Sequence, residues 1–230
     1  MRTIDPQSIK TDYIPALGDV KTTFNAANAS AIPANGKKLI SEFSFLSAAT
    51  LLEGFISDLF VAYINRDDSV FVGYLVGKMS IDASDEHSQR AKNFATISIG
   101  QHLSSADIRS VLDSRDYNIT FANASEMKAG AGKWLADPYK NYFTAITASQ
   151  SATLAAAKSI RNFLAHRSAA SKSEMQTALI APDLPAPLRR GLHHIRDVGS
   201  FLRSRPEPQT PYRLEQYLQD LQQIALTLCP

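Results

Sequence analysis

Cysteine is nearly absent from this sequence: among 230 residues the only one is Cys229, the next-to-last residue. A disulfide within the chain needs two cysteines, so the sequence excludes a disulfide framework and a zinc site built from cysteines. Residues 1–6 also lack the apolar stretch of a signal peptide. We therefore expect a reducing compartment and predict a cytoplasmic protein.

Glycine and proline, with ten and eleven residues, are too scarce for a collagen-like or linker-dominated chain. Long uninterrupted apolar runs are also lacking. The longest apolar region, residues 43–64, contains Glu53 and Asp58 and is typical of a core helix, so we expect no membrane span. Neither sign of charge dominates, because 24 basic side chains stand beside 22 acidic ones, and this balance does not by itself indicate a nucleic-acid partner.

Hydrophobic residues make up 44% of the chain and recur every three or four positions, which predicts an all-α fold of six to eight helices. The clearest helices are residues 38–64, residues 139–166 and residues 214–228. Ser104 and Asp107 have the spacing of a capping box. The other predicted helices are residues 70–79, 85–103, 105–112, 122–135 and 188–203.

Two of these helices have a clear apolar stripe, which we expect to face the core. In the first helix the stripe consists of Phe45, Ala49, Leu52, Ile56, Leu59 and Tyr63. In the last helix it consists of Leu214, Tyr217, Leu218, Leu221, Ala225 and Leu228.

Prolines and glycines divide the chain into three predicted parts. Residues 1–37 are polar and interrupted, so we predict an irregular N-terminal arm. Residues 38–181 are the predicted helical domain, and residues 182–230, which begin with a proline-rich linker, are predicted to be a helical extension packed on it. The interruptions in the arm are Pro6, Pro15, Gly18, Pro33 and Gly36.

Two short motifs do not meet the requirements of a phosphate or metal site. Residues 129–133 (AGAGK) lack the earlier glycine of a phosphate-binding loop, and Trp134 replaces the Ser or Thr that must follow the lysine. His193 and His194 are adjacent and hence about 100° apart on a helix, whereas metal-binding pairs use the i, i+4 spacing. We therefore predict no metal and no cofactor.

Arginines surround these histidines on the predicted helix 188–203, and Asp197 is the only acid among them. Such a cluster can neutralise the phosphates of RNA, although a solubilising helix surface explains it at least as well. The candidate RNA-binding residues are Arg189, Arg190, Arg196 and Arg203.

The segment with the most chemical content is residues 158–166 (KSIRNFLAH), at the end of the predicted long helix. Asn162 and His166 lie one turn apart, nearly opposite the predicted core residues of this helix. Histidine exchanges protons near neutral pH, and Arg161 offers donors that match phosphate oxygens. The residues alone fit a helix C-terminus better, because positive charge is favourable there. The predicted core residues are Leu154, Ala157, Ile160 and Leu164.

The side of this helix that carries His166 is lined by small residues, so another helix can approach it closely. We predict that this face contacts a second subunit. The face consists of Ala148, Ala152, Ala155, Ser159, Asn162 and His166.

The whole arrangement resembles a HEPN domain, most closely the RiboL-PSP type of that superfamily. The resemblance rests on residues 161–166 (RNFLAH) at the end of a long helix, on the early helix at residues 45–60, and on the connecting run 108–121 with residues 116–121 (DYNITF). It covers residues 38–180 and leaves both ends of the chain outside.

HEPN families are all-α and commonly dimeric, and many of them are metal-independent endoribonucleases. The resemblance implies a HEPN-like helical bundle with additional C-terminal helices, in which Arg161 and His166 of two subunits cleave RNA and leave 2′,3′-cyclic phosphate ends. Asn162 is implied to orient His166 or to contribute to the interface. Glu53 is a candidate partner for Arg161, although an exposed surface carboxylate explains it equally well.

The partners implied by the resemblance are RNA, a second copy of the chain, and an antitoxin or a defence-system protein, since such proteins serve as toxins or antiviral effectors. Two alternatives stay open. One is a non-catalytic HEPN module that binds a nucleotide or a partner, and the other is a plain helical scaffold.

Overall fold

The computed structural model describes residues 4–79, 84–92, 95–100, 102–113 and 117–230. These ranges contain eleven α-helices, one 3₁₀ helix (Ala186–Leu188) and no strand, which confirms the all-α prediction. The α-helices are α1 (Pro6–Ala29), α2 (Ala34–Arg66), α3 (Ser69–Val76), α4 (Glu86–Lys92), α5 (Ser105–Leu112), α6 (Ala124–Trp134), α7 (Tyr139–Thr144), α8 (Ala148–His166), α9 (Ala169–Ala178), α10 (Val198–Leu202) and α11 (Arg213–Leu228).

The core is built around α2, whose predicted apolar stripe is buried along its whole length. Helices α1, α5, α8, α10 and α11 all pack against it. By length and composition alone α2 could cross a membrane, but 56% of its most apolar stretch is buried against the rest of the protein. That burial is what a core helix requires.

The predicted irregular N-terminal arm is wrong, because most of it is the long helix α1. Tyr13, Leu17 and Phe24 are buried, and the ring of Tyr13 stacks on Phe55 of α2 with 4.5 Å between the ring centroids. These apolar residues recur with helical spacing and bury one face of α1 against α2. That packing outweighs the interruptions on which the prediction rested.

The helix breakers of α1 stand where a helix tolerates them. Pro6 is the first helical residue, and a backbone N–H at this position would have no partner within the helix, so its absence from proline costs nothing. The Asp5 side chain caps this end of the helix by accepting a hydrogen bond from the Gln7 N–H. Pro15 and Gly18 lie on the exposed side of the helix, away from the core.

The predicted number of helices is too low, because α1 and α9 were not predicted and because one predicted helix is in fact two. Residues 139–166 form two helices, because Thr147 and Gln150 make a capping box that starts α8. Within the described part of residues 85–103 only α4 is helical, and residues 95–100 have no regular structure. Residues 93–94 and 101 lie outside the described ranges.

The predicted helix at residues 188–203 is also wrong. Residues 189–197 have no helical structure, and α10 begins only after Asp197, whose side chain accepts a hydrogen bond from the Ser200 N–H. Other boundaries agree closely with the predictions: the capping box of Ser104 and Asp107 starts α5, and α3, which ends at Val76, covers most of residues 70–79.

The C-terminal helices share the core of the rest of the chain. The predicted stripe of α11 is buried, and α11 packs on α1, α2, α7 and α8. The buried Tyr63 hydroxyl of α2 donates to the Leu228 carbonyl at 2.7 Å. Burial raises the pKa of Tyr63 far above its ordinary value, so this hydroxyl keeps its proton.

Gly199 gives a direct test of how closely α10 packs on α2. A Cβ atom at Gly199 would lie 2.5 Å from the Lys38 carbonyl oxygen, which is backbone and cannot turn away. We expect Gly199→Ala to lower the free energy of unfolding by about 1–3 kcal/mol, as overpacking does.

The matched control is Gly132→Ala in α6, where a Cβ would meet no atom within 4 Å. This variant is expected to raise the free energy of unfolding by about 0.5–1 kcal/mol, because alanine is the better helix former. Urea unfolding of both variants measures the difference. Equal stabilities would contradict the close packing of α10 on α2.

Candidate functional site

Arg161 lies on the side of α8 that faces α2, and two side chains hold its guanidinium. Its Nη2 donates to Glu53 Oε2 of α2 at 3.1 Å, and its Nη1 donates to Asn162 Oδ1 at 3.2 Å. Arg161 and Glu53 are 31% and 27% exposed, so the pair sits at a surface opening and is partly screened by solvent. The contact between Glu53 and Arg161 that the sequence suggested is present.

A second ion pair joins the same two helices nearer to the end of α8. Arg167, the residue that ends α8, donates to Glu42 of α2, and its guanidinium also lies 5.4 Å from the centre of the Phe163 ring. Because residue 53 pairs with residue 161 and residue 42 with residue 167, the two helices run antiparallel. Together the pairs fix how the end of α8 is oriented on α2.

His166 is the last residue of α8 and its side chain is exposed. It lies five positions after Arg161, which corresponds to a rotation of roughly 140° and a rise of roughly 7.5 Å along the helix. The imidazole and the guanidinium of one chain therefore leave the helix in different directions. One copy of α8 does not direct both groups toward a single point.

Within the chain Asn162 contacts Arg161 rather than His166. Its amide oxygen accepts from Arg161, and no hydrogen bond joins it to His166 among the described residues. Asn162 and Glu53 thus hold the same guanidinium from two sides.

The small-residue face of α8 is only partly available for contact with a second subunit. Ser159 is buried and donates to the Ala156 carbonyl, and Ala152 packs against the core. Helix α8 has more neighbours than the prediction assumed, since it packs on α2, α6, α9 and α11. Ala148, Ala155 and His166 of this face remain exposed.

A second exposed surface, which the sequence analysis missed, lies on α2 beside the end of α8. Leu39 and Phe43 are 51% and 60% exposed and lie one turn apart on the same face. Glu42 and Glu53, which bond to α8, lie at the edge of this face. The signal was present in the sequence, because α2 is apolar on more of its circumference than one buried stripe requires.

Next to Arg161 the structure forms a pocket of about 240 Å³ between α2, α6, α8 and residues 119–123. Its charged lining residues are Glu53, Lys158 and Arg161. Its large apolar lining residues are Leu52, Ile56, Ile119, Phe121, Met127 and Leu154.

Hydrogen bonds hold the segment 119–123 in place as one wall of this pocket. The Ile119 N–H donates to the Ser57 hydroxyl at 2.9 Å, and Lys158 Nζ donates to the carbonyls of Phe121 and Ala122 at 2.6 and 3.0 Å. The segment belongs to the run that contributed to the HEPN resemblance, although Asp116 of that run lies outside the described residues.

The Nε of Arg161 is buried, and it has no hydrogen-bond partner among the described residues. A buried donor without a partner costs about 1–3 kcal/mol, so such groups call for a specific explanation. Arg161 lines the pocket, and its position is therefore set by requirements other than its own hydrogen bonding.

The predicted basic helix face does not exist, because residues 189–197 are not helical and most of its arginines bond within the chain. Arg189 donates to the Leu184 and Pro182 carbonyls, Arg190 donates to the Gln176 carbonyl at 3.0 Å, and Arg203 donates to Asn28 Oδ1 at 2.8 Å. Arg196 is exposed. Three of the four arginines therefore position a loop or pin neighbouring segments.

The glycine-rich residues 129–133 lie inside α6, so they do not form a phosphate-binding loop. Gly130 is close to two aromatic rings: a Cβ there would lie 2.8 Å from Phe121 and 3.3 Å from Trp134. The glycine thus allows Phe121 to pack behind the pocket wall.

Arginines that bond within the chain and the exposed Arg196 should differ in how much their replacement destabilises the protein. We expect Arg190→Ala to lower the free energy of unfolding by about 1–2 kcal/mol, since it leaves the partly buried Gln176 carbonyl without this donor. Arg196→Ala, on the same loop, is expected to change it by less than about 0.5 kcal/mol. Thermal unfolding of the two variants measures this, and an unaffected Arg190→Ala variant would contradict the structural role.

No protein-family model matches this sequence, and no curated protein or solved structure matches it either. The HEPN resemblance therefore depends on the sequence motifs alone.

Proposed function

We propose that this protein is a metal-independent endoribonuclease of the HEPN type that acts as a homodimer. The observation that carries the proposal is the arrangement on α8: Arg161 is held by Glu53 at the opening of a pocket, while His166 leaves the same helix in another direction. A site that uses both groups therefore needs a second copy of the chain.

The chemistry is a transesterification in which the RNA supplies its own nucleophile. His166 of one subunit accepts the proton of a ribose 2′-hydroxyl, and the 2′-oxygen attacks the neighbouring phosphorus. The bond to the 5′-oxygen breaks, and the other subunit's histidine or a water protonates this leaving group. The products are a 2′,3′-cyclic phosphate and a 5′-hydroxyl.

Arg161 stabilises the negative charge that develops on the phosphorane. An arginine carries five N–H donors, so bonds from Nη1 to Asn162 and from Nη2 to Glu53 leave other donors for phosphate oxygens. Glu53 and Asn162 are thus positioning residues, which fix the direction of the guanidinium before substrate binds.

The dimer contact is proposed to include the exposed part of α2 as well as the end of α8. Leu39 and Phe43 present apolar surface beside the helix end that carries His166. Burying this surface in the contact would bring the ends of two α8 helices, and with them two histidines, close to the two-fold axis.

The resemblance further supports a cytoplasmic toxin or antiviral effector, whose activity an antitoxin or another defence-system protein would control. This role is consistent with a chain that carries its RNA-cleaving groups on the surface and leaves them accessible.

The chemistry predicts that the purified protein cleaves RNA in EDTA and leaves cyclic phosphate ends. His166→Ala should lower the rate about 10²- to 10⁴-fold, and Arg161→Ala should lower it at least as much, because each removes a group that acts in the transition state. Gel analysis of labelled RNA, with end-group analysis by phosphatase and kinase treatment, measures both effects. Cleavage that requires added Mg²⁺, or full activity of His166→Ala, would show that the mechanism is wrong.

Glu53→Ala tests the positioning role, with Asp58→Ala as its matched control. Asp58 is also on α2 and pairs with Arg109 at 2.6 Å, and both pairs are partly exposed, so both variants should lose less than about 1 kcal/mol of stability. Only Glu53→Ala should reduce RNA cleavage, by about 10- to 100-fold. Equal activities would contradict the role of Glu53.

The dimer predicts that Phe43→Asp yields an inactive monomer, because a charge in the contact prevents burial of this surface. Val111→Asp on α5 is the control, since Val111 is 51% exposed, similar to Phe43 at 60%, but lies outside the proposed contact. Sedimentation measures mass and the RNA assay measures activity. A Phe43→Asp variant that remains dimeric would contradict this contact, and an active monomer would contradict the composite site.

A further inference from the structure

The pocket beside Arg161 has two chemically different parts. Its lining is mostly apolar and includes the aromatic residue Phe121, whereas Lys158 and Arg161 contribute its only cations, beside the single acid Glu53. A ligand that fits both parts has a flat apolar body joined to an anionic group. An unstacked nucleotide has this composition, since its base is flat and its phosphate is negative.

We propose that this pocket binds the base of a nucleotide next to the phosphate that is cleaved, so that the enzyme acts on unpaired RNA. The inference rests on the proposed function, because Arg161 belongs both to the pocket and to the proposed phosphate clamp. A base seated between α2, α6 and α8 would place its own phosphate at the guanidinium.

A base in a duplex is stacked and paired, and it cannot enter a pocket without leaving the helix. Proteins that recognise RNA by its bases usually bind unpaired nucleotides, whose bases they can stack and contact on their edges. The pocket therefore adds selection for single-stranded or looped RNA, which the Arg161 and His166 pair does not supply by itself.

Binding can be measured without cleavage by using 2′-O-methyl dinucleotides, which lack the nucleophilic hydroxyl. The probes are the ApA, GpG, CpC and UpU forms and, for each, the two derivatives that lack one base. Trp134 is the only tryptophan, and its ring centre lies 6.2 Å from that of Phe121 in the pocket wall, so its fluorescence reports occupancy.

For the best-bound dinucleotide we expect that removing the base that occupies the pocket weakens binding about tenfold, as loss of a stacked base does in other complexes. Loss of the other base should have a smaller effect. Equal affinity of the complete dinucleotide and both base-free derivatives would overturn the proposal.

Ala124→Phe tests whether the base sits in this pocket, because Ala124 lines it and a phenyl ring there would fill it. Ala129→Phe is the control, since Ala129 is exposed on the same helix and does not line the pocket. Only Ala124→Phe should abolish the difference in affinity between the complete dinucleotide and its base-free derivatives. Ala155→Phe, which enters the pocket from α8, serves the same purpose if Ala124→Phe fails to fold.

The outcomes separate this inference from the proposed function. RNA cleavage together with binding that does not depend on the bases would contradict base binding in the pocket, but it would still support the proposed ribonuclease activity. Base-dependent binding that Ala124→Phe removes, without any RNA cleavage, would support the pocket and favour a non-catalytic nucleotide-binding module.

Discussion

The burial of α2 is the constraint on which the rest of the structure depends. Its apolar residues form the centre of the core, and five other helices pack on it. Since the helix is fixed along its whole length, Glu42 and Glu53 on its edge are fixed as well. These two carboxylates in turn orient the end of α8, so the geometry of the candidate site follows from core packing.

The ion pair between Glu53 and Arg161 is better explained by positioning than by stability. Both side chains are partly exposed, and ion pairs of this kind contribute about 0–1 kcal/mol. The guanidinium also retains a buried Nε without a partner among the described residues, which makes its placement unfavourable by itself. An arginine that is held firmly at a small net cost suits a site where it must meet a negatively charged ligand.

Periodicity predicted helices such as α2 and α11 because each has a continuous buried stripe. It failed where other forces decided the structure. In α1, packing of Tyr13 and Phe24 outweighed Pro15, and at the start of α8 a local capping box of Thr147 and Gln150 broke a run that is helical by composition. The Glu53–Arg161 contact was suggested by the sequence, but the pocket was not, because its walls come from segments that are distant in the sequence. The arginines of residues 189–203 were misjudged because their hydrogen-bond partners depend on a loop conformation that residue types do not specify.

The five-residue spacing of Arg161 and His166 links the fold to the proposed second subunit. Residues separated by three or four positions lie on one side of a helix, whereas five positions turn the second side chain roughly 140° away from the first. In this protein the turn sends Arg161 toward α2 and the pocket, where neighbouring side chains position it, and leaves His166 exposed at the helix end. One direction is fixed by the chain itself and the other is free for a partner. A spacing that would be a defect in a site built within one chain therefore suits the proposed site, which two copies complete.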